Sequence, residues 1–159
     1  MKLLVMSDSH GNVARMRLAA GQVKPDAILH LGDKIADAAK LQQSLPGTEF
    51  HSVKGNCDFS DFGEIELFLT LGGVKIYMAH GHTLGAKSGV GALAARARGL
   101  GADLALYGHT HLAMIRHDLG LALMNPGQML QHDKRLAASF GIVTIEAGKF
   151  NCTIEELPF

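Results

Sequence analysis

The chain has 159 residues, with 15 lysines and arginines against 15 aspartates and glutamates, and is 47% hydrophobic and 19% charged. A chain of this length and apolar share can bury a sizeable core, which excludes a disordered protein. Its balanced charge excludes a strongly basic nucleic-acid binder held by phosphate neutralisation.

Leu3-Leu4-Val5-Met6 is a continuous apolar run that stops at a polar loop, as a buried strand does. It is too short for a signal-peptide core, and no stretch reaches the eighteen or so apolar residues of a membrane span. A cytoplasmic protein without membrane partners is therefore expected. Asn12 is placed to cap a helix whose inner face carries Val13, Met16, Ala19, Ala20 and Val23, ending at Pro25-Asp26. Ala27 to Leu31 reads as the second strand, and a helix is predicted from Ala36 to Leu45, before Pro46. Phe50 to Val53 is the third strand. Glu64 to Leu71, Gly72-Gly73 and Val74 to Met78 read as a hairpin. Helical spacing covers Gly91 to Leu100, and Leu104 to Tyr107 is another strand. Leu121 to Met124 and Gly141 to Leu157 read as strands, with a turn at Ala147-Gly148.

Parallel-type units thus come first and antiparallel hairpins follow. That order predicts an α/β protein with two mixed sheets packed together and helices outside, in one domain spanning 1–159. The two cysteines, Cys57 and Cys152, make no disulfide framework.

The polar residues that carry chemistry fall at predicted strand exits, each with a glycine beside it. They are Asp8 and His10, Asp33, Asn56, His80, and His109 with His111. Ligands commonly bind at strand ends of α/β sheets, and glycine there permits close approach. Carboxylate, imidazole and carboxamide donors suit manganese, iron, zinc or cobalt, and magnesium less well. Taken singly, each motif also has a bland reading: Asp8 as a helix cap, Gly108 to His111 as a surface turn.

The ordered set Ser7-Asp8-Ser9-His10-Gly11, His30-Leu31-Gly32-Asp33, Gly55-Asn56-Cys57-Asp58, His80-Gly81-His82 and Tyr107-Gly108-His109-Thr110-His111 resembles the calcineurin-like metallophosphoesterase superfamily. It is most similar to the small single-domain bacterial and archaeal phosphodiesterases, and Asn125-Pro126-Gly127 resembles a late loop of that family. The resemblance implies a four-layer αββα sandwich. It implies a first metal on Asp8, His10 and His111, a second on Asn56, His80 and His109, and Asp33 bridging them. It implies two divalent ions, manganese first, with iron, zinc, cobalt or nickel as alternatives. A metal-bound hydroxide would attack phosphorus, and Asn56 would help to stabilise the phosphoryl charge. The expected substrate is a small phosphodiester or nucleotide-like phosphate ester, with no nucleic-acid partner; a homo-oligomer is compatible with it.

Larger relatives carry histidine after the motif asparagine, and here Cys57 stands there. Substrates with poor leaving groups should suffer most from that loss. Asp58 is assigned to orienting a histidine or to acting as an acid, and His82 to contacting phosphate or standing behind the ligands. Gln128 stands where relatives often have serine, so that loop contact is expected to differ. His30 reads as a satisfied sheet histidine, and His51, His117 and His132 as surface residues. Cys57 reads as a small neutral neighbour of the site in preference to a reactive thiol. Lys87, Arg96 and Arg98 form either a basic rim or, preferentially, the solvated face of a helix. The competing class is a protein-interaction scaffold of the same fold with a relic metal site, as in the eukaryotic retromer scaffold subunit. A relic is free to lose ligands, and here all the positions hold suitable donors.

Overall fold

The computed structural model describes residues 1–59, 62–130 and 136–158. β1 (Lys2–Met6) is fully buried from Leu3 to Met6, which is why its sequence does not alternate. Asn12 caps α1 (Val13–Val23) by accepting a hydrogen bond from the Arg15 N–H. The helix ends ahead of Pro25, where Lys24 turns left-handed. β2 (Ala27–His30) runs parallel to β1, and β3 (Glu49–Ser52) runs parallel to β2. Between them, α2 (Ile35–Gln43) starts one residue earlier and stops two earlier than the sequence pattern predicts.

β4 (Glu66–Leu71) and β5 (Val74–Ala79) form the expected hairpin. Gly72 and Gly73 both take positive φ, which a two-residue hairpin loop of this kind requires. α3 (Gly91–Gly99) and β6 (Leu104–Leu106) follow. β7 (Met114–Asp118) was not legible in the sequence, because two adjacent apolar residues followed by Arg116, His117 and Asp118 make no alternation. β8 (Leu121–Asn125) lies between β6 and β7. β9 (Ser139–Glu146) and β10 (Lys149–Glu156) then return to pair β9 with β1.

Among the described residues there are two mixed five-stranded sheets, ordered β10-β9-β1-β2-β3 and β4-β5-β6-β8-β7. Leu3, Val5, Leu29, Ile76, Met78, Leu106 and Val143 fill the space between them. Leu4, Met6, Ile28 and Phe140 face outward against Met16 and Ala19 of α1 and Leu41 of α2. Tyr77, Ala105 and Leu123 face Leu93, Ala94 and Ala97 of α3. The layers are helices, sheet, sheet, helix, as expected, and burial of these side chains contributes most of the stability.

Arg96 and Arg98 lie on the solvent-facing side of α3, as expected, and both are ion-paired. Arg96 pairs with Glu66, which also accepts a hydrogen bond from Tyr77 Oη at 2.7 Å. Arg98 pairs with Asp118 at 3.0 Å. These pairs orient α3 against both edges of its sheet; being solvent-accessible, they add little stability. No helix among the described residues is long and apolar enough to cross a membrane.

Candidate metal centre

The parallel strands of both sheets deliver their exit loops to one place. Asp8 N donates to Gly32 O at 3.0 Å and His10 N to Asp33 O at 3.4 Å, joining the first two loops. Gly108 N donates to His80 O at 3.0 Å, joining two loops of the second sheet. His109 N donates to Asp8 Oδ2 at 3.1 Å and ties one sheet's loops to the other's. Asn125 fixes the last of these loops: its Nδ2 donates to Gly108 O and Thr110 Oγ1, both at 2.9 Å.

Nine non-glycine residues among those described have positive φ, and five of them are Asp8, His10, Asp33, His109 and His111. Such backbone is costly for non-glycine residues and persists only where the surroundings impose it. The strain is therefore concentrated on the predicted ligands.

Asp8 and Asp33 are buried. Asp8 Oδ2 accepts from Ser7 Oγ at 2.6 Å, whereas buried Oδ1 has no hydrogen-bond partner in line. Three imidazoles surround Oδ1, with His111 Nε2 at 3.0 Å and His10 and His80 Nε2 each at 3.9 Å. Asp33 is shared: Oδ2 faces His10 Nε2 at 3.5 Å, and Oδ1 faces His80 Nε2 at 3.4 Å. Burial pushes both carboxyls up, but the histidines outweigh it, with Ser7 helping at Asp8 and Cys57 N at Asp33. Both are held below the usual carboxylate range.

His80 Nδ1 lies 2.7 Å from Leu31 O, an acceptor, so Nδ1 carries the hydrogen. Its Nε2 then turns to the carboxylates and to Asn56 Oδ1 at 3.1 Å. Burial pushes His80 down, but Asp33 and Asp8 prevail and raise it. A neutral Nε2 and a carboxamide oxygen are both acceptors; a proton or a cation between them reconciles the pair, as does the amide turned to present Nδ2. The His109 ring stands 5.0 Å from that of His80. Burial, and then the His80 charge, depress His109 and His82.

The donors fit a cation. Ligand atoms of Asp8, His10, Asp33 and His111 lie within 4.8 Å of one another, and the bare Asp8 Oδ1 lies among them. His80 faces Oδ1 of Asp33, and Asn56 and the His109 ring stand beside His80.

Residues 1–148 match the calcineurin-like phosphoesterase superfamily domain. The chain belongs to that superfamily. It is 36% identical over 149 residues to the probable metallophosphoesterase YsnB of Bacillus subtilis, covering 92% of this chain and 85% of that one. The crystal structure of a predicted phosphoesterase from Streptococcus pneumoniae superposes with a TM-score of 0.82 at 28% identity, over 98% of this chain and 88% of that one. An archaeal phosphodiesterase, 18% identical, shares the fold with a TM-score of 0.77 over 98% of this chain and 100% of that one.

Within this metallophosphoesterase site, Asp58 faces away from the predicted chemistry. Its Oδ1 accepts from Lys34 N at 2.9 Å and Ile35 N at 2.8 Å, and Oδ2 from Gly55 N at 2.8 Å. Among the described residues it bonds to no histidine; it caps α2 from another loop, which explains that helix's early start. His82 stands beside the centre, 5.4 Å from the His80 ring, with Nδ1 buried and unpartnered. Burial and Asp33 push the Cys57 thiol up, which keeps it protonated. Gln128 is buried. Cys152 packs against the inter-sheet core, and burial lifts its thiol to about 11. His51 is half-buried beside Glu49, His117 is exposed, and His132 lies outside the described residues.

Sequence reasoning missed Asp37. Ser9 Oγ donates to its Oδ2 at 2.8 Å and Gly11 N at 2.6 Å, so Asp37 holds the loop that carries Asp8 and His10. The available signal was a carboxylate on the buried face of an amphipathic helix, one turn before Leu41.

His30 completes this network with Nε2 3.1 Å from Ser9 Oγ, while Nδ1 accepts from Gly32 N at 3.4 Å. Burial outweighs the nearby carboxylates and lowers its pKa from 6.5 to about 4. Between those values only the unfolded chain takes the proton, so stability is complete above pH 6.5 and falls as pH drops towards 4. The expected loss is up to about 3 kcal/mol. Urea midpoints across this window should slope less for His30→Gln than for wild type; equal slopes would refute the assignment.

Proposed function

We propose that this chain is a metal-dependent phosphodiesterase that hydrolyses a small phosphate diester, with two divalent cations and manganese as first choice. The observation that carries the reading is Asp8 Oδ1, a buried charged oxygen without a hydrogen bond, ringed by imidazoles and Asp33. Leaving such an atom unsatisfied is expensive unless a cation completes it. The kinship with YsnB, a probable metallophosphoesterase, points the same way.

Asp8, His10 and His111 hold one cation in this proposal, and Asn56, His80 and His109 the other, with Asp33 between. When bound, such a pair supplies a water nucleophile active at neutral pH and neutralises phosphoryl charge. The Leu31 carbonyl fixes the His80 tautomer, leaving Nε2 as the ligating atom. His82 keeps a neutral ring beside His80 and His109 and offers its N–H to a phosphoryl oxygen. Asp58 is a positioning residue that ties the Gly55 loop to the start of α2.

Cys57 stands where an imidazole would protonate a leaving oxygen, and its thiol is held protonated with a high pKa. Substrates that need little protonation are favoured. Metal-stripped protein should hydrolyse an aryl phosphodiester only after manganese is added. An alkyl phosphate monoester should be turned over at least about 100-fold more slowly. No turnover with any divalent ion would return the scaffold reading, and equal rates would remove the leaving-group argument.

A further inference from the structure

A groove of about 660 Å³ opens beside the centre. One wall is the segment from Ala86 to Val90, and the other runs from Leu112 to Arg116 at the start of β7. Tyr107 and Thr110 line it as well, and Thr110 lies in the chain between His109 and His111. The groove therefore adjoins the loop that carries two of the proposed ligands.

Its chemistry is mixed in a definite way. Val90, Tyr107, Leu112 and Met114 give it apolar walls, and Leu112 is 57% exposed. Lys87 and Arg116 give it two cations, and no acidic side chain lines it. Neither cation has an ion-pair partner among the described residues, unlike Arg96 and Arg98. Thr110 Oγ1 accepts from Asn125 Nδ2 and from Leu112 N, which leaves its O–H without an acceptor among the described residues.

We infer that this groove receives one ester group of the substrate, and that this group is a ring-bearing alcohol carrying a further anion, such as a nucleoside with a second phosphate. The inference rests on the phosphodiesterase reading. The volume suits a nucleoside-sized body and far exceeds what a methyl ester would fill. The apolar walls take the ring. Lys87 and Arg116 complement the additional charge, and the Thr110 hydroxyl donates to an ester or phosphate oxygen. The pocket between α2 and β3, lined by Ile35, Phe50 and Phe62, contains no charged side chain and lacks this complementarity.

The test compares two chromogenic diesters on manganese-loaded protein. One is methyl p-nitrophenyl phosphate. The other is the p-nitrophenyl ester of a thymidine bisphosphate, with its second phosphate free. The ratio of their kcat/KM values cancels any effect of surface charge on the metal centre itself. That ratio should favour the nucleotide ester and fall about tenfold or more in the Lys87→Ala/Arg116→Ala double variant, the scale of one charge-assisted hydrogen bond. An unchanged ratio overturns the inference and leaves the phosphodiesterase reading standing. If neither diester is hydrolysed, the phosphodiesterase reading fails and binding decides the groove. Calorimetric titration of thymidine bisphosphate should then give a Kd about tenfold weaker in the double variant. Equal Kd values overturn the groove on that evidence alone.

Discussion

Asp33→Asn is expected to cut metal-dependent turnover by roughly 10²–10³-fold or more while leaving the chain folded. The backbone argument protects the fold. Asp33 has φ 58°, and asparagine tolerates that left-handed conformation as readily as aspartate. A carboxamide oxygen can still accept the Cys57 N–H, now at 2.9 Å from Oδ1. What disappears is one charge and one of two oxygens, and those oxygens face different histidines, His10 and His80. The two halves of the centre lose their common donor. Bound manganese per chain, read by elemental analysis beside kcat/KM, should fall with activity. A variant with wild-type turnover and metal content would show that the shared position of Asp33 is incidental.

Gly32→Ala should be strongly disruptive for so small a substitution. Gly32 has φ +101°, and a Cβ there would stand 2.7 Å from Gly55 N and 2.9 Å from His80 Nδ1. The first obstacle is backbone, and the second is a ring pinned to Leu31 O, so neither gives way cheaply. The expected destabilisation is about 3 kcal/mol or more. Gly11→Ala is the control, with φ +96° but nothing within 4 Å of its Cβ. It carries the conformational penalty alone, about 1 kcal/mol. Urea unfolding of the two variants separates the terms. Similar losses would mean that close approach at Gly32 costs nothing.

Much of this site was legible because most of its donors follow a buried strand, Asn56 after half-exposed β3 being the exception. Leu3 to Met6 announces where Asp8 emerges, and Leu104 to Leu106 does the same for His109 and His111. Side-chain direction was not legible. Asp58 neighbours Asn56 in the chain, yet it turns back to Lys34, Ile35 and Gly55. Its role depends on a helix 23 residues earlier, beyond the reach of any local pattern. Asp37 escaped for the same reason: its partners, Ser9 and Gly11, are 28 and 26 residues away. β7 escaped because Met114-Ile115 followed by Arg116-His117-Asp118 lacks the period-2 pattern that a half-exposed strand usually shows.

The insertion of β9 between β1 and β10 has a consequence for synthesis. Residues Lys2 to Val5 cannot complete their hydrogen bonding until Gly141 to Thr144 have been made. Until then β1 is an open edge, and the turn that aims Asp8 and His10 hangs from an unfinished ribbon. A nascent chain on the ribosome thus carries most residues of the candidate centre before the sheet that frames them is complete.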